Sequence, residues 1–293
     1  MKAEQTIRLW VEGARPKTIP AAIVPVMVGT AASAGSDFIL YRFLLALLVS
    51  IALQVGVNYA NDYSDGIRGT DEDRIGPRRL VGSKLIPVWK VKWASFASFF
   101  VAAIAGLILA LVINLWIVAI GLAAIVAAWF YTGGSSPYGY LGFGEVSVFV
   151  FFGLVATVGS AFLQSEKIEL LPILCGIGVG SLATGLLVVN NLRDIETDRE
   201  AGKKTLAVRI GEQKTRLLYA FLMIGTVVVY ALIGVIYCYP ALISLIACPI
   251  AFKLAYQIYT KADRTNLIKV LEMTAKFHLV SGLLFALGLM IGI

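Results

Sequence analysis

Histidine is almost absent from this 293-residue chain, where His278 stands alone. That leaves no room for a histidine-built zinc site or a Ser-His-Asp triad. Cysteine is scarce too: Cys175, Cys238 and Cys248 each lie inside an apolar stretch, without metal-binding spacing. Buried packing, not disulfide pairing, is expected of them. The most telling shortage is charge. Only 15% of residues are Asp, Glu, Lys or Arg, against about a quarter in soluble domains. With 59% hydrophobic residues and a mean hydropathy of +0.84, the chain cannot clothe itself in water. The apolar runs also lack the two-residue alternation of barrel strands, which excludes a membrane β-barrel.

What is present is a series of apolar runs near the ~20 residues that cross a bilayer. They fall at about 19–34, 40–61, 94–113, 115–132, 144–163, 170–192, 216–237, 239–258 and 275–293. The expected fold is therefore an all-α polytopic membrane protein of about nine transmembrane helices, forming a single domain over residues 1–293. Residues 1–18 read as an interfacial N-terminus. Ala31-Ala32-Ser33-Ala34 mimics a signal-peptide cleavage site, but the polar stretch before it is long and contains acids, which favours a retained helix. With the N-terminus in the cytoplasm, all of the 25 basic residues except Arg42 and Lys167 fall on the inner side. That satisfies the positive-inside rule. The net charge of +7 is thereby explained by topology in the cytoplasmic membrane and gives no reason to invoke nucleic acid.

Two polar segments, 62–93 and 193–215, interrupt otherwise short connections, both on the inner face. Chemistry is expected there. The first opens around Asn58, Asn61, Asp62 and Asp65, the second around Asn190, Asp194 and Asp198. Spacings of four put Asn61 with Asp65, and Asn190 with Asp194 and Asp198, on one helical face each. The plain reading of either stripe is a helix leaving the membrane. Two such stripes, each ending an even-numbered span four spans apart, instead imply two related four-helix halves plus a ninth helix. Carboxylates crowded around one cavity repel unless a cation joins them, and Mg²⁺, a hard ion completed by water and substrate phosphates, suits them. Basic residues run beside both stripes, among them Arg68, Arg74, Arg79, Lys84, Arg193, Lys203 and Lys204. Acids for metal beside cations for oxyanions match a diphosphate. At the mouth of a lipid-embedded cavity, that points to a lipid diphosphate. Tyr63, Trp129, Phe130, Tyr131, Tyr138 and Tyr140 fall near the same face, where aromatic rings can steady an allylic cation.

These residues resemble the UbiA superfamily of intramembrane prenyltransferases. The resemblance rests on Asn61-Asp62-Tyr63-Ser64-Asp65-Gly66 and the stretch Asn190 to Asp198. It extends through Arg15-Pro16-Lys17-Thr18, Gly69-Thr70-Asp71, Arg74-Ile75-Gly76-Pro77, Tyr131-Thr132-Gly133-Gly134, Pro137-Tyr138-Gly139-Tyr140 and Gly202 to Arg209. Within the superfamily the chain is similar to the 1,4-dihydroxy-2-naphthoate polyprenyltransferases of menaquinone synthesis. The resemblance implies helices around a central cavity open to the cytoplasmic side. It also implies transfer from a polyprenyl diphosphate to 1,4-dihydroxy-2-naphthoate with loss of carbon dioxide, using Mg²⁺, as two ions bridging the diphosphate. It places metal ligands at Asn61, Asp62, Asp65, Asp194 and Asp198, and catalytic carboxylates at Asp65, Asp194 and Asp71. Substrate-binding roles fall to Asn61, Asn190, Arg74, Arg79, Lys84, Lys17, Tyr131, Tyr138, Lys203 and Lys204. One departure is Ser136, where relatives often carry a basic residue, so Lys84 is expected to supply a replacement cation.

A CDP-alcohol phosphotransferase shares the opening Asp62-x-x-Asp65-Gly66, but its later Gly-x-x-x-Asp-x-x-x-Asp is missing at the required distance. A transporter would place ionisable groups near the bilayer midplane, whereas these acids cluster at one face. A 4-hydroxybenzoate polyprenyltransferase is the alternative inside the superfamily.

Overall fold

The computed structural model describes residues 3–33, 37–69, 79–260 and 264–292. Among these the chain is helical throughout, without a β-strand. An amphipathic helix α1 (Ala3–Ala14) leads through a 3-10 turn at Pro16–Thr18 into α2 (Pro20–Ala31). Then come α3 (Leu40–Ile67), α4 (Val88–Val112) and α5 (Trp116–Phe130). The next span joins α6 (Gly144–Val148), a π-helical segment Phe149–Val155 and α7 (Ala156–Ser165). It is followed by α8 (Leu170–Arg193), the short α9 (Ile195–Glu200) and α10 (Leu206–Ile236). A 3-10 stretch, Tyr239–Ala247, then leads into α11 (Cys248–Tyr259) and α12 (Arg264–Gly292).

Seven of the described helical runs are long and apolar enough to cross a membrane. The other two expected spans are shorter. At 12 and 15 residues, α2 and α5 extend only ~18 and ~22 Å. Proline accounts for part of this: Pro16 and Pro20 divert the chain through a 3-10 turn before α2 can begin. Despite its length α2 is central, with Val24 and Val28 fully buried against α8 and α12.

The other boundary shifts carry chemistry. Helix α3 continues six residues beyond the expected end of its span, so the first acidic stripe is helical to Ile67. Segment 193–215 is mostly helix as well. It comprises α9 and the start of α10, which is kinked at Gly211 (φ 80°, ψ 168°).

Helix α8 is the axis of the second half, with 72% of its most apolar window buried. Membrane helices gain little from expelling water onto one another, so close approach through small residues does the packing. Gly153 in the π-helical segment crosses Gly180 so tightly that a Cβ on it would lie 2.5 Å from the Gly180 Cα. At the end of α3 remote from the acidic stripe, Arg42 donates to the Leu163 carbonyl at 2.9 Å and pairs with Glu166 at 2.9 Å. This ties α3 to α7 and sets the two ends of the bundle apart.

Candidate active site

Helix α3 delivers the first stripe as adjoining faces with different duties. Asn58 is buried rather than part of a solvated rim; it donates to the Ala14 carbonyl at 2.8 Å and to Thr18 Oγ1 at 3.0 Å. Gln54 donates to the same Thr18 hydroxyl at 3.0 Å, so the strap between α1 and α2 is laced to α3. Asp62 accepts from the amides of Leu80 (2.8 Å) and Val81 (3.0 Å), one on each oxygen. The carboxylate thereby holds the returning chain beside α3, while Asp62 also lines the cavity described below. Asn61 and Asp65 meet other partners. Asn61 Oδ1 accepts from Thr132 Oγ1 at 2.7 Å, and Asp65 Oδ1 accepts from the Tyr140 hydroxyl and from Lys203 Nζ, the latter at 3.0 Å.

The second stripe arrives on α8 and α9, which meet at Asp194. Backbone bonds from Asp194 N to Asn190 O (3.2 Å) and from Asp198 N to Asp194 O (2.8 Å) carry the register across the joint. Arg193, 3% exposed, forks onto both Asp194 oxygens and donates to Asn190 Oδ1, each at 2.7 Å. The ammonium of Lys203 lies 3.9 Å from Asp198 Oδ1 as well as beside Asp65. One cation therefore joins two motifs 133 residues apart, in contact with the Tyr140 ring at 4.6 Å. The Tyr140 hydroxyl stays protonated because burial, and then Asp65, push its pKa up. It is thus held as a donor.

Below this head opens a cavity of about 820 Å³ whose walls are mostly apolar. Its polar rim includes Arg15, Lys17, Asn61, Arg79, Asn190 and Arg193, and Tyr131 and Tyr138 line it further in. Asp194 is tied to the lining residue Arg193, and Lys203 holds Asp65 to Asp198. Lys17 is paired with Glu272 across the mouth at 2.5 Å, an exposed contact that solvent screens. Arg15, in the left-handed conformation (φ 53°), places one buried guanidinium nitrogen in the cavity wall without a protein partner.

Not every expected residue gathers here. Lys84 is exposed in a left-handed turn (φ 58°) and does not line the cavity. Its turn is set by Lys84 N bonding to Val81 O, which aims the side chain outward. The cation that serves the loop beginning at Thr132 is Arg68, which donates to the Thr132 carbonyl at 2.6 Å and to that of Gly134. Lys204 is exposed and meets the site through its backbone, donating to Tyr140 O at 2.8 Å. Asp71 and Arg74 lie outside the described residues. Tyr63 and Trp129 stack at 6.0 Å beside the site without lining the cavity.

Arg193 was expected only as one of the basic residues beside the second stripe and Tyr140 only as one of the nearby aromatics. Arg15 had no expected role, and its one signal was its place in Arg15-Pro16-Lys17. A buried pair, Asn191 Nδ2 donating to Glu145 Oε1 at 2.9 Å, had no such signal.

Among the described residues no cluster of three acidic, cysteine or histidine side chains could hold a metal alone. The carboxylate and amide side chains gathered here offer hard oxygen donors of the kind a divalent cation takes together with oxygens of its ligands. The positive charge of Lys203 between Asp65 and Asp198 shows that a cation is electrostatically favoured there. On this chemistry the donor set fits Mg²⁺.

The sequence pattern of the UbiA prenyltransferase family matches residues 22–290. The 1,4-dihydroxy-2-naphthoate octaprenyltransferase of Mycobacterium tuberculosis is 46% identical over 286 residues, spanning 97% of each chain. Its counterpart in Escherichia coli is 38% identical over 290 residues, 96% of this chain and 94% of that one. Among solved structures, the apo structure of a UbiA homolog from Aeropyrum pernix aligns with a TM-score of 0.74 at 14% identity, over 92% of this chain and 96% of that one. A UbiA homolog from Archaeoglobus fulgidus bound to GPP and Mg²⁺ gives 0.64 at 14% identity, over 94% and 99%.

Proposed function

From the premise that this chain belongs to the UbiA prenyltransferase family, we propose that it transfers a polyprenyl group from polyprenyl diphosphate to 1,4-dihydroxy-2-naphthoate. The products are diphosphate, carbon dioxide and a demethylmenaquinol, a step of menaquinone synthesis. That the protein is a prenyltransferase follows from its family and from the names of relatives 37–46% identical over nearly the whole chain. The choice of acceptor rests on those names. The observation that supports this reading is that Lys203 joins Asp65 of the first motif to Asp198 of the second, while Asn61 and Asn190 line one apolar cavity.

In this reading Asn61, Asp65, Asp194 and Asp198 would hold Mg²⁺, taken here as two ions, and the chemistry such a cation would supply is neutralisation of the diphosphate charge. Lys203 and Arg193 balance the same carboxylates when no substrate is bound and turn to phosphate oxygens when it arrives. Arg15 and Arg79 add charge-assisted donors from the rim. The prenyl tail lies along the apolar wall, which excludes water from the allylic cation left by ionisation. Tyr131 and Tyr138 present aromatic faces toward that cation. The electron-rich ring then bonds to the allylic carbon, and the ring carboxylate leaves as carbon dioxide, its bonding pair returning to the ring. The protein sits in the cytoplasmic membrane with its N-terminus and site facing the cytoplasm.

Membranes containing the protein, supplied with Mg²⁺, a polyprenyl diphosphate and either 1,4-dihydroxy-2-naphthoate or 4-hydroxybenzoate, test this by mass spectrometry. The expected outcome is a prenylated, decarboxylated naphthoquinol that disappears in EDTA. A product from 4-hydroxybenzoate alone would reassign the acceptor, and none from either would refute the activity.

A further inference from the structure

One short turn ties the two polar segments together. Pro137 leads into it, Tyr138–Leu141 form a 3-10 turn, and Gly142 ends it in the left-handed conformation (φ 85°). The turn is held closely on both sides. A Cβ on Gly139 would lie 2.6 Å from the Tyr131 carbonyl oxygen, and one on Gly142 would lie 3.2 Å from that of Lys204. Backbone bonds seal the same contacts: Gly139 N donates to Tyr131 O at 3.0 Å, and Lys204 N to Tyr140 O at 2.8 Å. The turn is thus wedged between the end of α5 and the chain leading into α10.

What this wedge presents to the site is Tyr140. Its hydroxyl donates to Asp65 Oδ1. Its ring centre lies 5.4 Å from the Arg68 guanidinium carbon and 4.6 Å from Lys203 Nζ. Asp65 and Arg68 belong to the first polar segment, Lys203 and Lys204 to the second. Tyr138 lines the cavity but Tyr140 does not, so Tyr140 reaches a substrate only through these neighbours. Lys203 also donates to Asp65 Oδ1, at 3.0 Å. In the proposed function that ammonium turns to phosphate oxygens when substrate arrives, leaving the Tyr140 hydroxyl still on Asp65. A carboxylate oxygen can accept a hydrogen bond while it binds a metal ion, and such partners keep metal ligands in orientation.

We propose that Tyr140 is the positioning residue for Asp65: its hydroxyl fixes the carboxylate in the orientation that takes Mg²⁺ together with the substrate diphosphate. This inference rests on the reading of Asp65 as a metal ligand. The turn from Pro137 to Gly142 then serves to deliver one hydroxyl to one carboxylate.

Tyr140→Phe removes that hydroxyl and keeps the ring, whereas Tyr140→Leu removes both. For these variants and wild type, one measurement is the Mg²⁺ concentration giving half of the thermal shift that geranyl diphosphate produces. A second is prenyl transfer to 1,4-dihydroxy-2-naphthoate at low and at saturating Mg²⁺. Tyr140→Phe is expected to raise the Mg²⁺ concentration at least about tenfold, the usual effect of losing a partner of a metal ligand. Saturating Mg²⁺ should restore most of its transfer, and Tyr140→Leu should show the same rise. A Phe variant that needs no more Mg²⁺ than wild type would overturn the role, as would a rise confined to Tyr140→Leu or a loss of transfer that Mg²⁺ does not restore. A wild type that shows the Mg²⁺-dependent shift without transfer would count against the proposed function, and Tyr140 would then be judged on the shift alone. A wild type whose diphosphate binding ignores Mg²⁺ would overturn the metal reading and the role of Tyr140 with it.

Discussion

Asp62 and Asp65 lie on neighbouring faces of one helix, yet the fold uses them in opposite ways. Asp65 meets the second motif through Lys203, while Asp62 closes the loop by accepting from Leu80 and Val81. Removing the Asp62 carboxylate strands two amides in a buried setting, at about 1–3 kcal/mol each. Asp62→Ala should therefore lower the thermal unfolding midpoint markedly, Asp62→Asn less so, and both should leave the Mg²⁺ concentration for half-maximal activity nearly unchanged. A higher Mg²⁺ requirement with an unchanged midpoint would restore Asp62 as a ligand. The spacing of Asn61 to Asp65 was legible in the sequence because four-residue neighbours on a helix are a local matter. The division of labour was not, since it depends on where the chain returns eighteen residues later. The buried Asn58 shows the same limit, being fixed by a turn forty residues earlier.

At the scale of elements, the spans could be located from hydropathy, but their bends could not. The π-helical segment contains Gly153, which crosses Gly180 closely, a contact between two spans that no single segment encodes. Similarly, segment 193–215 reads as polar loop by composition, yet forms α9 and the start of α10. Gly211 then kinks α10 in a backbone region open essentially to glycine alone. A Cβ there would meet nothing within 4 Å, so the cost of replacement is conformational rather than steric. Gly211→Ala should destabilise by about 1–3 kcal/mol. By moving the start of α10, it should also raise the KM for prenyl diphosphate through Lys203. Wild-type unfolding and KM in this variant would show that the kink does not position the site.

Across the whole molecule, polarity was the most legible property. Nearly all basic residues were assigned to one side, and the structure sets Arg42 and Glu166 together at the end opposite Asp65 and Asp194. Which end faces the cytoplasm is open to direct labelling. With native cysteines replaced by serine, a cysteine at Lys204 should resist a membrane-impermeant maleimide in intact cells and react after permeabilisation, while one at Lys167 should react in both. The reverse pattern would invert the topology. The convergence of the two motifs, inferred from their shared face, depends in three dimensions on Lys203 spanning Asp65 and Asp198. Residues that act as one unit give strongly non-additive losses when removed together. The most direct measurement is therefore a double-mutant cycle on Mg²⁺-dependent prenyl transfer with Asp65→Asn, Asp198→Asn and both. One shared site predicts that the double variant loses little more than the worse single variant, whereas losses that simply multiply would contradict it.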